Sequence, residues 1–243
     1  MMRTLIANEL FKLRTSRAPW LILGAQLGLI TAGMSGMAVA SLDFKDPDAA
    51  RIMLCHAGMS SLLVLVLGIM AVAGEYRDGA ITDTFLSTPR RSRVLAAKLV
   101  AYTGLGLVYG ILSATTALIV AALWFASKGV AFDPAAAPVW QTLVGVALWM
   151  PLYAAIGVAV GALVRNLGTA IAISFAWIAL VEGIAMNLLG GLGRWLPMAS
   201  GMALDNVPQG NLLPQVTGGL VLVTYAVLFA VLASFVTMRS DVA

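Results

Sequence analysis

Glu182, in the stretch AWIALVEGIAMN, is the one acidic side chain inside a long apolar run of this 243-residue chain. A carboxylate at the centre of a membrane-spanning helix costs about 2.5–3.5 kcal/mol on insertion scales, so it should face protein or water rather than lipid. There it could line a path, hold a proton or fix a helix contact. Asn187 follows five residues later, and Gln26 sits inside an earlier apolar run. These three are the side chains a translocation path would draw on. His56 is the only histidine and Cys55 the only cysteine. A lone histidine without a partner at ligand spacing reads as a satisfied interfacial residue, and one cysteine allows neither an intrachain disulfide nor a cysteine metal cage. The phosphate-loop pattern G-x-x-x-x-G-K-[ST] is missing, as are H-E-x-x-H and G-x-S-x-G. The chain therefore reads as a non-enzyme, with no catalytic residue and no metal site.

The densest charge lies at 74–99, GEYRDGAITDTFLSTPRRSRVLAAKL, which holds eight of the 26 charged residues. Gly79 should break the preceding helix. Residues 80–86 can form two short helical turns, with Ile81 and Phe85 four apart on one face. Thr88 reads as an N-cap and Pro89 as the first position of the next helix. Arg90, Arg91, Arg93 and Lys98 then fall at headgroup level. On the residues alone, this is equally a well-capped positive flank or a short helix presented to a partner groove.

The elements that hold these residues follow from composition. The chain is 60% hydrophobic and only 11% charged, against about 25% charged for a soluble domain. It reads as a single all-α polytopic membrane domain over 1–243. Six segments are long enough to cross a bilayer: about 19–40, 52–74, 99–126, 139–164, 168–190 and 214–237. The first, at 22 residues, exceeds the roughly 7–15 of a signal-peptide core, so it reads as a retained span. Eleven of the fifteen Lys and Arg residues fall on the side shared by the two termini and the 75–98 loop. That asymmetry assigns this side to the cytoplasm. Basic residues scattered between spans do not make a nucleic-acid surface.

Two further segments stand out. In MMRTLIANELFKLRTSRAP, Met2, Ile6, Leu10 and Leu13 recur at helical spacing, which predicts an amphipathic helix lying in the interface. The segment GLGRWLPMASGMALDNVPQGNLLP, between spans 5 and 6, is half apolar but broken by Gly and Pro. It reads either as short re-entrant helices or as an outer loop on the headgroups. Glycines four apart at Gly24/Gly28, Gly106/Gly110 and Gly157/Gly161 permit close helix packing. Pro151 is a potential kink.

The run from Glu75, Arg77 and Gly79 through Ile81, Thr84, Phe85, Leu86, Pro89, Arg90 and Arg91 resembles the signature region of ABC type-2 exporter permeases. The six spans, the N-terminal amphipathic helix and the outer segment resemble that family's layout too. The resemblance implies that these ten residues form a coupling helix on which a separate ABC ATPase docks. It implies a second permease copy, or a similar permease, within the lipid bilayer of the cell membrane. The chain would bind no cofactor, ATP and Mg belonging to the ATPase. Its cargo would be an amphiphile: a drug, an antibiotic peptide or a lipid-like molecule. The alternative is an ATP-independent transporter or channel using Glu182.

Overall fold

The computed structural model describes residues 2–79, 91–188 and 190–239. They are helical, with no strand among them. A short helix, Met2–Thr15, precedes six helices long and apolar enough to cross a membrane. These are span 1, Arg17–Ala40; span 2, Ala49–Arg77; span 3, Ser92–Ser127; span 4, Ala137–Val164; span 5, Leu167–Leu188; and span 6, Gln215–Thr237. Spans 2 and 3 run well past the apolar segments read from sequence. A helix does not stop where hydrocarbon stops, and the polar extensions of both find partners at the end of the bundle.

Span 4 lies at the centre. Its Trp149 and Met150 are fully buried, and it packs on spans 2, 3 and 6. Small residues let the backbones approach. A methyl group added at Gly157 would lie 2.2 Å from the Leu65 carbonyl of span 2, and one at Gly110 would lie 2.4 Å from the Ala147 carbonyl. The second contact has a covalent origin. Pro151 has no N–H, so the Ala147 carbonyl loses its helical donor, and the Gly110 backbone of span 3 covers it. Two of the three glycine pairs therefore make close contacts between spans. The third, Gly24/Gly28, has no described atom within 4 Å of its would-be methyl groups.

Span 5 is not a uniform α-helix. Its middle, Trp177–Glu182, is a π-helical turn, followed by α-helix Gly183–Leu188. The outer segment folds as a 3-10 turn, Gly190–Trp195, and a short helix, Pro197–Leu204. Gly and Pro break this stretch as the sequence leads one to expect. The helix Pro197–Leu204 sits against spans 4 and 6: Gly201 lies against the Trp149 indole, and Gly218 of span 6 against Ser200 and Ala203. Gln215 donates to the carbonyls of Gln141 and Leu204, both at 2.8 Å.

The loops at this end are closed by aromatic packing. The rings of Phe44 and Phe125 stand edge to face at 5.0 Å, and Phe132 adds to them at 5.2 Å. Lys128 lies over Phe44 and Trp124.

Candidate functional site

Four charged side chains from three elements meet at the end of the bundle that holds the N-terminus. Lys98, in the first turns of span 3, is 1% exposed. The sequence places it at headgroup level; the structure instead buries it, because its ammonium is fully engaged by acceptors. It donates to Glu9 Oε2 at 3.0 Å, to Glu75 Oε1 at 2.6 Å and to the Ala71 carbonyl at 2.9 Å. Lys12 donates to the same two carboxylates, at 3.1 Å to Glu9 and 2.8 Å to Glu75. Two acids and two bases thus neutralise one another. Desolvation alone would lower the Lys12 ammonium, but the hydrogen bonds and charges of Glu75 and Glu9 outweigh it and hold Lys12 above its ordinary range.

Local sequence explains the convergence. The N-terminal helix presents Ile6, Glu9 and Leu13 inward, with Glu9 and Leu13 buried, while Met2 and Leu10 are exposed. The inward face is therefore rotated from the apolar stripe read from sequence. Lys98 supplies a buried positive charge, and Glu9 turns toward it. Glu75 is the last acid of span 2, one helical turn beyond Ala71, so its carboxylate and the Ala71 carbonyl reach the same ammonium. Removing one member of such a buried set leaves its partners uncompensated and costs about 3–5 kcal/mol. The cluster therefore joins the N-terminal helix to spans 2 and 3 as one unit.

These two spans flank the charged 74–99 stretch. Of its expected docking residues, Glu75 faces the cluster. Arg77 is exposed and pairs with Asp78 at 2.8 Å. Gly79 takes φ +73, the left-handed conformation that ends the helix. Ile81, Thr84, Phe85, Leu86, Pro89 and Arg90 lie outside the described residues, as do Thr88 and the 80–86 helical turns. Arg91 opens the helix of span 3. Beside the cluster, the Arg165 guanidinium lies over the Tyr76 ring at 5.7 Å.

The three path candidates do not meet. Gln26 is fully buried and bridges spans 1, 3 and 4, donating to Ser113 Oγ at 2.6 Å and to Met150 Sδ at 3.6 Å. Glu182 is 1% exposed. It accepts from Trp177 Nε1 at 3.1 Å and from the Met198 N–H at 2.7 Å. It thereby caps the first turn of the helix Pro197–Leu204, where a negative charge is favourable. Asn187 is exposed and donates to the Gly183 carbonyl in its own helix. Two apolar cavities occur. One, of about 810 Å³, opens between spans 3, 4 and 6, near Trp140, Pro151 and Val223. The other, of about 270 Å³, lies between spans 2, 4, 5 and 6 and ends at Glu182 and Pro197.

Sequence reasoning missed Glu9 as the partner of Lys98. The available signal was weak: an acid inside an apolar helical stripe, and a lysine flanked by Ala97 and Leu99.

Comparison with individual curated proteins finds no match. The model of one family, described as ABC-2 family transporter protein, matches residues 5–181. That match takes in the N-terminal helix, spans 1–4, the whole ion cluster and most of span 5. The chain belongs to the ABC-2 family of transporter proteins, as a multi-pass membrane permease.

Proposed function

We propose that this permease is the membrane subunit of an ATP-driven exporter, coupling a separate ABC ATPase to efflux of an amphiphilic cargo. The observation that supports this is the ion cluster. It ties the N-terminal helix to the ends of spans 2 and 3, on either side of the segment 80–90. A push delivered to that segment by an ATPase would reach both spans and the N-terminal helix together, since neither span can shift without separating buried charges. The termini and this cluster then lie in the cytoplasm, in keeping with the Lys and Arg excess on that side. Two such subunits, identical or similar, would enclose the path within the cell membrane. An amphiphilic cargo matches the apolar character of the cavities.

The test is co-purification of the tagged permease in mild detergent, followed by mass spectrometry of what accompanies it in near-equal amount. A P-loop ATPase at stoichiometric level is the expected result. Phe85→Asp should then remove the ATPase and transport while the permease still inserts. A preparation with no ATPase that moves cargo on an ion gradient would overturn the proposal.

A further inference from the structure

Asp205 ends the helix Pro197–Leu204 and is 0% exposed. Neither carboxyl oxygen has a hydrogen-bond partner among the described residues. Its space is carved by two glycines. A methyl at Gly58 of span 2 would lie 2.1 Å from Asp205 Oδ2 and 2.8 Å from Trp149 Cε3, and one at Gly145 of span 4 would lie 2.7 Å from Asp205 Cα. The carboxyl thus sits beside glycine backbone and near the benzo edge of the Trp149 indole. The indole N–H lies toward Gly201 and is itself unpartnered among the described residues, as are the buried Ser200 and Ser61 hydroxyls.

An ionised carboxylate in such a place has neither water nor a donor, and the energetic cost of that is far above what a fold tolerates. Burial holds the Asp205 carboxyl well above the usual carboxylate range. A destination for the charged form lies next door. Arg51 donates to the Asn206 carbonyl at 3.1 Å and to Asn206 Oδ1 at 3.2 Å, one residue beyond Asp205. Its Nε has no partner among the described residues. The other titratable or charged groups on the elements packed here are Asp48, already bonded to Arg51 at 2.7 Å; Cys55; His56, whose ring lies against Gly33 of span 1; and Tyr153 of span 4, against Trp149. Glu182 is bound at the opposite end of the same short helix.

We propose that Asp205 is a proton-binding site that latches the outer segment 197–206 to the bundle: protonated, it stays docked beside Trp149, and losing the proton sends it toward Arg51. The sign follows from linkage. Asp205 binds its proton more tightly in the docked form, so docking is fully supported below its free value of about 3.9 and weakens as pH rises through the docked value. The helix is then held at one end by Glu182 and freed at the other.

Cys55 reports this directly. It is the only thiol of the chain, four residues after Arg51 on the same face of span 2, beneath the segment that Arg51 holds. The full chain in nanodiscs would be labelled with a charged maleimide between pH 5 and pH 9, alongside Asp205→Asn. Taking the wild-type rate relative to the variant at each pH cancels the thiol's own ionisation. The expected ratio is near one at pH 5 and at least tenfold at pH 9. Gly58→Ala, which pushes the carboxyl out, should label at pH 5 as wild type does at pH 9. This second variant decides the matter if Asp205→Asn does not fold. A ratio that stays flat with pH overturns the proposal, as does a Gly58→Ala protein that labels like wild type. So does a pH response abolished by His56→Gln, or one that follows sodium concentration at fixed pH.

Discussion

Replacing Lys98 by Met removes the one ammonium that both Glu9 and Glu75 share in the buried part of the cluster. Met keeps the length and the apolar stem, so the loss is the charge and its three hydrogen bonds. Breaking a buried pair costs about 3–5 kcal/mol, and each 1.4 kcal/mol is tenfold, giving about 150- to 5,000-fold in the docking of the N-terminal helix. Lys12 remains, but its side chain is 47% exposed. It screens the stranded carboxylates only in part, which places the expected effect near the lower end, at about 100-fold. The measurement is amide hydrogen exchange over residues 3–15 in nanodiscs, with residues 197–206 as an internal reference that should not change. The decisive companion is Lys98→Met combined with Glu9→Gln and Glu75→Gln. Removing the uncompensated charges should restore protection to within about tenfold of wild type, since apolar or neutral replacement of a whole buried set is close to neutral. A change below threefold in the single variant would refute the reasoning. Equal loss in the single and triple variants would show that volume, not charge, holds the helix.

Three further outcomes follow from the same structure. Lys12 is held above its ordinary value by Glu75 and Glu9, so its contribution is fully present below about pH 10.4 and is lost as pH rises through the higher docked value; protease nicking after Arg14 or Arg17 should increase only in that alkaline window. Glu182→Gln keeps one acceptor oxygen and loses the other along with the charge. A hydrogen bond to a charged group is worth about 1.5–3 kcal/mol, so exchange at the first turn of Pro197–Leu204 should rise roughly 10- to 100-fold while ATPase association is unchanged. Gly157→Leu would drive a side chain into the Leu65 carbonyl, 2.2 Å from the first added atom; spans 2 and 4 should separate, and the permease should lose its monodisperse peak in detergent chromatography.

The spans were legible because length and apolarity report directly on the bilayer, and the Gly and Pro breaks near Leu196 report directly on backbone conformation. Gly106, Gly110, Gly157 and Gly161 were legible as packing glycines because nothing larger fits between helices in contact. The ion cluster was not. Glu9, Glu75 and Lys98 are far apart in the chain, and each alone reads as a surface residue at a span end. Only the register that brings span 3 beside the N-terminal helix shows that their charges cancel. Gln26 and Glu182 were legible as polar groups needing a partner, but their partners, Ser113 and the Met198 amide, are set by helix rotation. For Glu182 that rotation depends on a π turn that no periodicity in the sequence announces. Asp205 was hidden for another reason: LDN in a loop reads as solvent-facing unless Gly58 and Gly145 are known to open a space for it.

The π turn at Trp177–Glu182 also bears on how this chain can change in length. A π turn is an α-helix with one extra residue. Deleting any one residue of that turn would restore an ordinary helix and rotate everything after it by about 100°. Glu182 would swing off the Met198 amide, and the outer segment would lose its anchor. Inserting a residue there would do the same in the opposite sense. The loop around Phe44 and Asp46 has no such register to keep. Single-residue insertions and deletions should therefore be tolerated at that loop and rejected in the middle of span 5, even where every residue removed or added is apolar.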